Sequence, residues 1–459
     1  MSLGGAGLLS GLRAGDRVRP AGPGAKCVPV IKAAFVRRKE DYGMLWPGAI
    51  YDGATALANY RRQIVAASEE LGIRIDLRPE PVYSLEAADA WVAEARAQKA
   101  DGLFVALLDR QQHAWPSAEK AITSGIPSVI FSPIGAAFTT NTGPLATKNG
   151  GFICSTDDFR QAAYGLKMLK AGAKLREMRF IVLAGNERRD EKVADFGTKL
   201  RYLPARTFLE EYNSTPVTDE VRKIAAAYIQ NATAVKGPTE EDVWNGVKSY
   251  VVARNILMRE EGDGITMDCL GALGKTKVSL PCISWSSMLD DGIPAACEAD
   301  IGAAVTHALV QYLFDRPGFQ QDPVPETAKD CLIGAHCTCP TRLRGWSQPP
   351  EPYFLSYHHG KRDAVPVPRW NIGERITVAD VLLRDRENPK PQMVISVGKV
   401  VENVSVPPAG GCVVSVMVEL DGSPELLDYP GFHQLFFYGD FRRELHQYCR
   451  LFGIQPILA

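Results

Sequence analysis

Gly264-Ile-Thr-Met-Asp-Cys-Leu270, Leu280-Pro-Cys-Ile-Ser-Trp285 and Ala295-Ala-Cys-Glu-Ala-Asp-Ile-Gly302 follow one another past the middle of the chain. The first two are short apolar runs that end in a polar residue and a turn, the pattern of buried parallel strands in an α/β sheet. Asp268 then stands at the carboxyl end of the first strand. The Asp290-Asp-Gly-Ile-Pro294 turn leads into a helix expected over 295–313, where Ile301, Val305, Ala308 and Leu309 recur at helical spacing. Glu298 and Asp300 fall in its first turns. Carboxylates there ordinarily complement the free N–H groups and dipole of a helix start. Their position adds a second use, because open α/β sheets collect ligands at strand carboxyl ends, where helix starts also gather. Asp268 and Glu298 could share one cation.

Outward from this stretch the chain divides into three. Strand signals at 28–36, 73–77, 102–108, 127–131 and 151–154 alternate with helices at 51–71, 85–98 and 117–124. That alternation predicts a Rossmann-like parallel sheet over 27–178. His113, in Asp109-Arg-Gln-Gln-His113, lies at a strand end where such sheets bind ligands. A second Rossmann-like unit, 179–318, opens with Arg179-Phe-Ile-Val-Leu183. It carries helices at 218–231 and 239–261 before the central stretch. After Asp315-Arg-Pro-Gly318 proline becomes frequent, and alternating segments at 353–356, 375–383, 392–401 and 412–420 read as antiparallel strands. The third unit, 319–459, is therefore expected to be β-rich and barrel-like. It carries His433, a strand at 435–438 and a final helix to 451 that Asp440 could cap.

Composition narrows the function. The 459 residues are 46% apolar, enough for real cores, with 52 Lys and Arg against 53 Asp and Glu. The basic residues form no long cluster, so nucleic acid and anionic membrane are not expected partners. No apolar run is long enough to span a bilayer. There is no G-x-x-x-x-G-K and no G-x-G-x-x-G after a strand, which argues against nucleotide binding. The ten cysteines are scattered and read as buried free thiols. Cys337-Thr-Cys339 beside His336 lacks the C-x₂-C spacing of a zinc knuckle. Residues 1–26 read as a flexible leader. Arg13 and Arg17 follow the apolar Leu8-Leu9 segment, the wrong order for an intact export signal, so a cytoplasmic location is the default and export the alternative.

The middle and C-terminal portions resemble the L-fucose and L-arabinose isomerase superfamily. The resemblance is carried, in order, by Glu241-Asp-Val-Trp244, Gly264-Ile-Thr-Met-Asp-Cys269, Leu280-Pro-Cys282, Ala296-Cys-Glu-Ala-Asp300, His336-Cys-Thr-Cys-Pro-Thr341, and Gly431-Phe-His433 followed by Phe437-Tyr-Gly-Asp-Phe-Arg442. It covers about 241–451 and implies a homo-oligomer, a trimer or hexamer. It also implies a divalent ion, usually Mn²⁺, held by two carboxylates and a histidine. The ion binds neighbouring oxygens of an open-chain sugar while carboxylates move protons between C1 and C2. By position Asp268, Glu298 and His433 look like the ligands, with Asp268 and Glu298 also catalytic. Asp268 departs from the family, which usually has the longer glutamate there. The residue types suit Mn²⁺, with Mg²⁺ or Co²⁺ as alternatives.

Around them, His336 could contact sugar or metal, or donate to a carboxylate. Asp300 and His113 stand near enough in pattern to line a sugar site, and Trp46 and Trp285 could stack on a sugar face. The expected activity is aldose–ketose isomerisation of a neutral or deoxy sugar. Glycoside cleavage or epimerisation on the same scaffold, or sugar binding without catalysis, are the alternatives.

Overall fold

The computed structural model describes residues 20–39, 45–46, 49–50, 52–110, 112–358, 362–405 and 412–459, with side chains left aside at 45–46, 49–50 and 362. Five parallel strands form the first sheet, in the order Arg74–Leu77, Val30–Val36, Gly102–Leu107, Ser128–Ser132, Gly151–Ser155. The three middle strands are buried almost throughout, as strands covered on both faces by helices must be. Local chemistry sets the helix starts. Asp52 accepts from Ala54 and Thr55 N–H to open Gly53–Leu71, and Ser84 accepts from Ala87 N–H to open Leu85–Ala97.

The second sheet runs Ala295–Cys297, Gly264–Met267, Arg179–Leu183, Lys199–Leu203, all parallel, with Arg189–Lys192 antiparallel on the far edge. Thr218 and Thr239 cap the helices Asp219–Asn231 and Glu240–Arg259, the two expected here.

Two expectations for the central stretch are corrected. The 280–285 segment is no strand: Pro281 opens the helix Cys282–Asp290. Nearly every residue of that helix is buried, so its sequence shows no polar face to betray a 3.6 period. The strand beside Gly264–Met267 is instead Ala295–Cys297, and the helix expected from 295 begins only at Ile301. Glu298 and Ala299 make the corner between them with φ of 60° and 56°.

Six antiparallel strands close into a barrel in the third unit. Going round, Phe319–Glu326 is followed by Cys331–His336, Val414–Leu420, Gln392–Asn403, Arg375–Leu382 and Gln434–Tyr438, which returns to Phe319–Glu326. The first two strands escape sequence reading because Pro323, Pro325 and Gly334 break their alternation. Tyr353–His358 lies outside the barrel, in a small sheet with Arg362–Pro368 and Val235–Lys236. The last helix is Arg442–Phe452; Phe441 holds the cap position, but the Asp440 carboxylate accepts from Arg442 N–H at 3.4 Å and also lies 3.2 Å from the Arg375 guanidinium. Among the described residues no helix is long and apolar enough to cross a membrane.

The helix Ile301–Phe314 ties the units together. Its Ala304, Ala308 and Leu309 share one core with Leu166 and Leu169 of the first unit and with Val381 and Leu435 of the barrel. Its first residues consequently face the seam between the second sheet and the barrel.

Candidate metal centre

Glu298 is placed by its neighbours. The Gln320 side chain accepts from Cys297 N–H at 2.9 Å and donates to Cys297 C=O at 3.4 Å, standing in for a neighbouring strand at the sheet edge. Two residues on, Ala299 N–H donates to Met267 C=O at 3.0 Å. The left-handed turn between these anchors, held by non-glycine residues, throws the Glu298 side chain off the sheet edge toward the barrel. Asp300 then caps the next helix by accepting from Ala303 N–H at 2.9 Å.

The barrel supplies the histidines. His336 is the last residue of Cys331–His336. His433 immediately precedes Gln434, which pairs with Gln321, so the same register carries His433 opposite Asp322. One ligand atom each from Glu298, His336 and His433 lies within 4.8 Å of the other two. His433 Nε2 is 3.7 Å from Glu298 Oε2, and His336 Nε2 is 3.9 Å from Glu298 Oε1. Both imidazoles are buried, while the Glu298 side chain is 32% exposed, so the cluster is closed behind and open in front.

Charge around the cluster is strongly acidic. His433 donates from Nδ1 to Asp300 Oδ2 at 2.9 Å, which aims Nε2 into the cluster. There Nε2 lies 3.2 Å from Asp322 Oδ1, yet neither buried atom makes a hydrogen bond. Burial opposes charge on this imidazole, but the Asp300 hydrogen bond and the Asp322 carboxylate outweigh it and push the pKa up to about 9. Burial also raises Glu298, with His433 pulling it down and the carboxylates of Asp322, Asp268 and Asp300 pushing it further up. Behind Asp300, burial and that neighbouring negative charge push Asp380 up to about 8.

The fit to a cation rests on those two orphaned atoms, the His433 Nε2 and Asp322 Oδ1, facing each other in a pocket of carboxylates. Two imidazoles and a carboxylate oxygen form a borderline donor set. It suits a divalent transition-metal ion better than Mg²⁺, which takes oxygens and water.

Of the expected site residues, Glu298 and His433 come together. His336, expected to contact sugar or metal or to donate to a carboxylate, is the third member of the cluster, and Asp300 orients His433. Asp268 lies on the rim. It stands close enough to push up the Glu298 pKa, but its carboxylate caps the helix Cys269–Leu273 through Gly271 N–H at 3.0 Å and is not among the clustered ligands.

Trp285 is wholly buried in the core and cannot meet a sugar. His113 is buried in the first unit with Nε2 3.2 Å from Val82 C=O, a structural contact. The Trp46 side chain lies outside the described residues. Cys337 and Cys339 are buried and outside any disulfide, and neither belongs to the clustered ligands. Sequence reading missed Asp322 and Gln320. Their only signal is the run Gln320-Gln-Asp322, polar residues where a barrel strand was not expected.

No protein-family model matches this chain, and no curated protein matches it either.

Proposed function

We propose that this chain is a divalent-metal-dependent aldose–ketose isomerase acting on an open-chain neutral or deoxy sugar. The observation that carries the reading is the convergence of Glu298, His336 and His433 from two different domains, ringed by Asp268, Asp300 and Asp322 and open to solvent on the Glu298 side. The resemblance read in residues 241–451 supports it independently of that geometry.

Glu298, His336 and His433 would hold the ion, Mn²⁺ before Co²⁺ or Mg²⁺. When bound it supplies Lewis acidity toward the neighbouring carbonyl and hydroxyl oxygens of the sugar. Asp300 keeps His433 in the tautomer that presents Nε2. Asp268 and Asp322 flank Glu298, and in this reading they would take a proton from one sugar carbon and return it to the next. The chain needs no organic cofactor for this. A trimer or hexamer, implied by the resemblance, belongs to the same reading and is tested by light scattering.

The test is a panel of free aldoses incubated with protein stripped by chelator, with and without added Mn²⁺, and read by NMR for ketose. In D₂O, recovered substrate should carry deuterium at C2. Absence of both ketose and deuterium across the panel would exclude isomerisation.

A further inference from the structure

At the opposite end of the helix Ile301–Phe314 lies a cavity of about 920 Å³. At 1.5 Å per residue it is separated from the Asp300 end by roughly 20 Å, so it is distinct from the metal cluster. One wall is the last turn of that helix, and the facing wall is the helix Phe159–Glu177, which presents Lys167, Lys170 and Lys174 one turn apart.

The outer two lysines are engaged. Lys167 is paired with Asp315, and Lys174 donates to Gly24 C=O at 2.8 Å and Ala25 C=O at 3.0 Å. Lys170, between them, makes no hydrogen bond or ion pair with any described residue. Opposite it Gln311 is 5% exposed, and its side-chain Nε2 has no hydrogen-bond partner. An amide N–H group buried without an acceptor is uncommon in a folded protein and calls for a specific reason. Tyr312 and Trp346 add aromatic surface to the same cavity.

An ammonium and an amide nitrogen are both donors, so the partner that satisfies them together presents anionic oxygens. We propose that this cavity is a second binding site, for a small molecule bearing a phosphate or carboxylate group, with Lys170 and the Gln311 amide on its oxygens and carbon against Tyr312 and Trp346. Burial and the flanking Lys174 and Lys167 charges hold the Lys170 ammonium below its ordinary pKa against the opposing pull of Asp315, and a bound anion would add to that pull.

Calorimetric titration of the full chain with inorganic phosphate and, separately, with acetate tests the proposal and identifies the group. Heat with phosphate alone assigns a phosphate site, and heat with acetate alone a carboxylate site. Lys170→Gln and Gln311→Leu should each weaken binding at least tenfold while metal-dependent turnover and unfolding temperature stay at the wild-type values. No binding of either anion, or binding that both variants retain, would overturn the proposal. Acetylation of lysines by an N-hydroxysuccinimide ester, read by peptide mass spectrometry, gives a second readout. Lys170 should be modified without anion and protected with it. Protection of Lys170 in anion-free protein would mean that its ammonium is closed to a ligand, and would also overturn the assignment.

Discussion

His433 has its Nδ1 proton committed to Asp300 and its Nε2 pointed at Glu298 and Asp322, so its loss should be felt at the ion before it is felt in the fold. His433→Ala should cut Mn²⁺ affinity by at least the ~10–100-fold typical of outlying changes, as measured by calorimetric titration. Unchanged affinity would remove it from the centre. Asp268 should behave differently, because it caps a helix on the rim. Asn caps nearly as well as Asp, so Asp268→Asn should leave Mn²⁺ affinity near wild type while lowering kcat about 10²–10⁴-fold if Asp268 moves the proton. A fall in affinity with little change in kcat would make it a ligand instead. If the proposed isomerisation holds, Asp268→Glu, which gives the longer side chain usual in the sugar isomerases that the sequence resembles, should retain it.

Asp290 tests a structural carboxylate. It accepts from Thr341 N–H and Oγ1–H and from Arg342 N–H, yet burial outweighs those bonds and pushes its pKa from 3.8 up to about 6. The folded protein thus binds this proton more tightly than the unfolded chain. That contribution is full below the unfolded value and is lost as pH rises through about 6. In Asp290→Asn the fall in stability between pH 4 and 6 should become shallower, as read by urea unfolding at several pH values.

At the scale of elements, the corner at Glu298 and Ala299 is the feature on which the centre depends. Two successive non-glycine residues in left-handed conformation are strained, by about 1–3 kcal/mol each, and Gln320 and Met267 C=O hold them there from either side. Gln320→Leu takes the acceptor from the buried Cys297 N–H, while Cys297 C=O keeps Asp300 N–H at 3.2 Å, and should cost roughly 1–3 kcal/mol. The same change should loosen Glu298, so unfolding temperature and Mn²⁺ affinity should fall together. A stable variant with intact affinity would show that the corner holds without its clamp. The 280–285 segment shows why such detail escapes the sequence. A short helix buried on all sides and a short buried strand read alike, and only packing of Ile283 and Trp285 into the core separates them.

Across the whole molecule, the centre exists because the barrel closes. Arg375–Leu382 and Gln392–Asn403 complete the ring that fixes where Gln434 and its neighbour His433 stand. Gly398 sits in that closure with no room for a side chain, since a Cβ there would lie 2.3 Å from Glu419 C=O. Gly398→Ala should therefore shift backbone and cost roughly 1–3 kcal/mol in stability, with weaker Mn²⁺ binding following from displaced histidines. Full stability by thermal unfolding would show that the barrel yields at this point without cost.

The three-unit architecture was legible because it is written in short-range terms. Strand–helix alternation, the caps Ser84, Thr218 and Thr239, and the proline-rich change after 318 depend on residues near one another in the chain. The same terms placed Asp268 at a strand end, but they put Glu298 inside a helix that begins only at Ile301, after the strand Ala295–Cys297. Tertiary structure alone decided which side chains meet. His336 and Asp322 join Glu298 through barrel register, and Asp268 remains on the rim while Trp285 disappears into the core. Those outcomes depend on pairings between distant strands, where a slip of one residue would turn each side chain to the opposite face. No local period in the sequence records that choice.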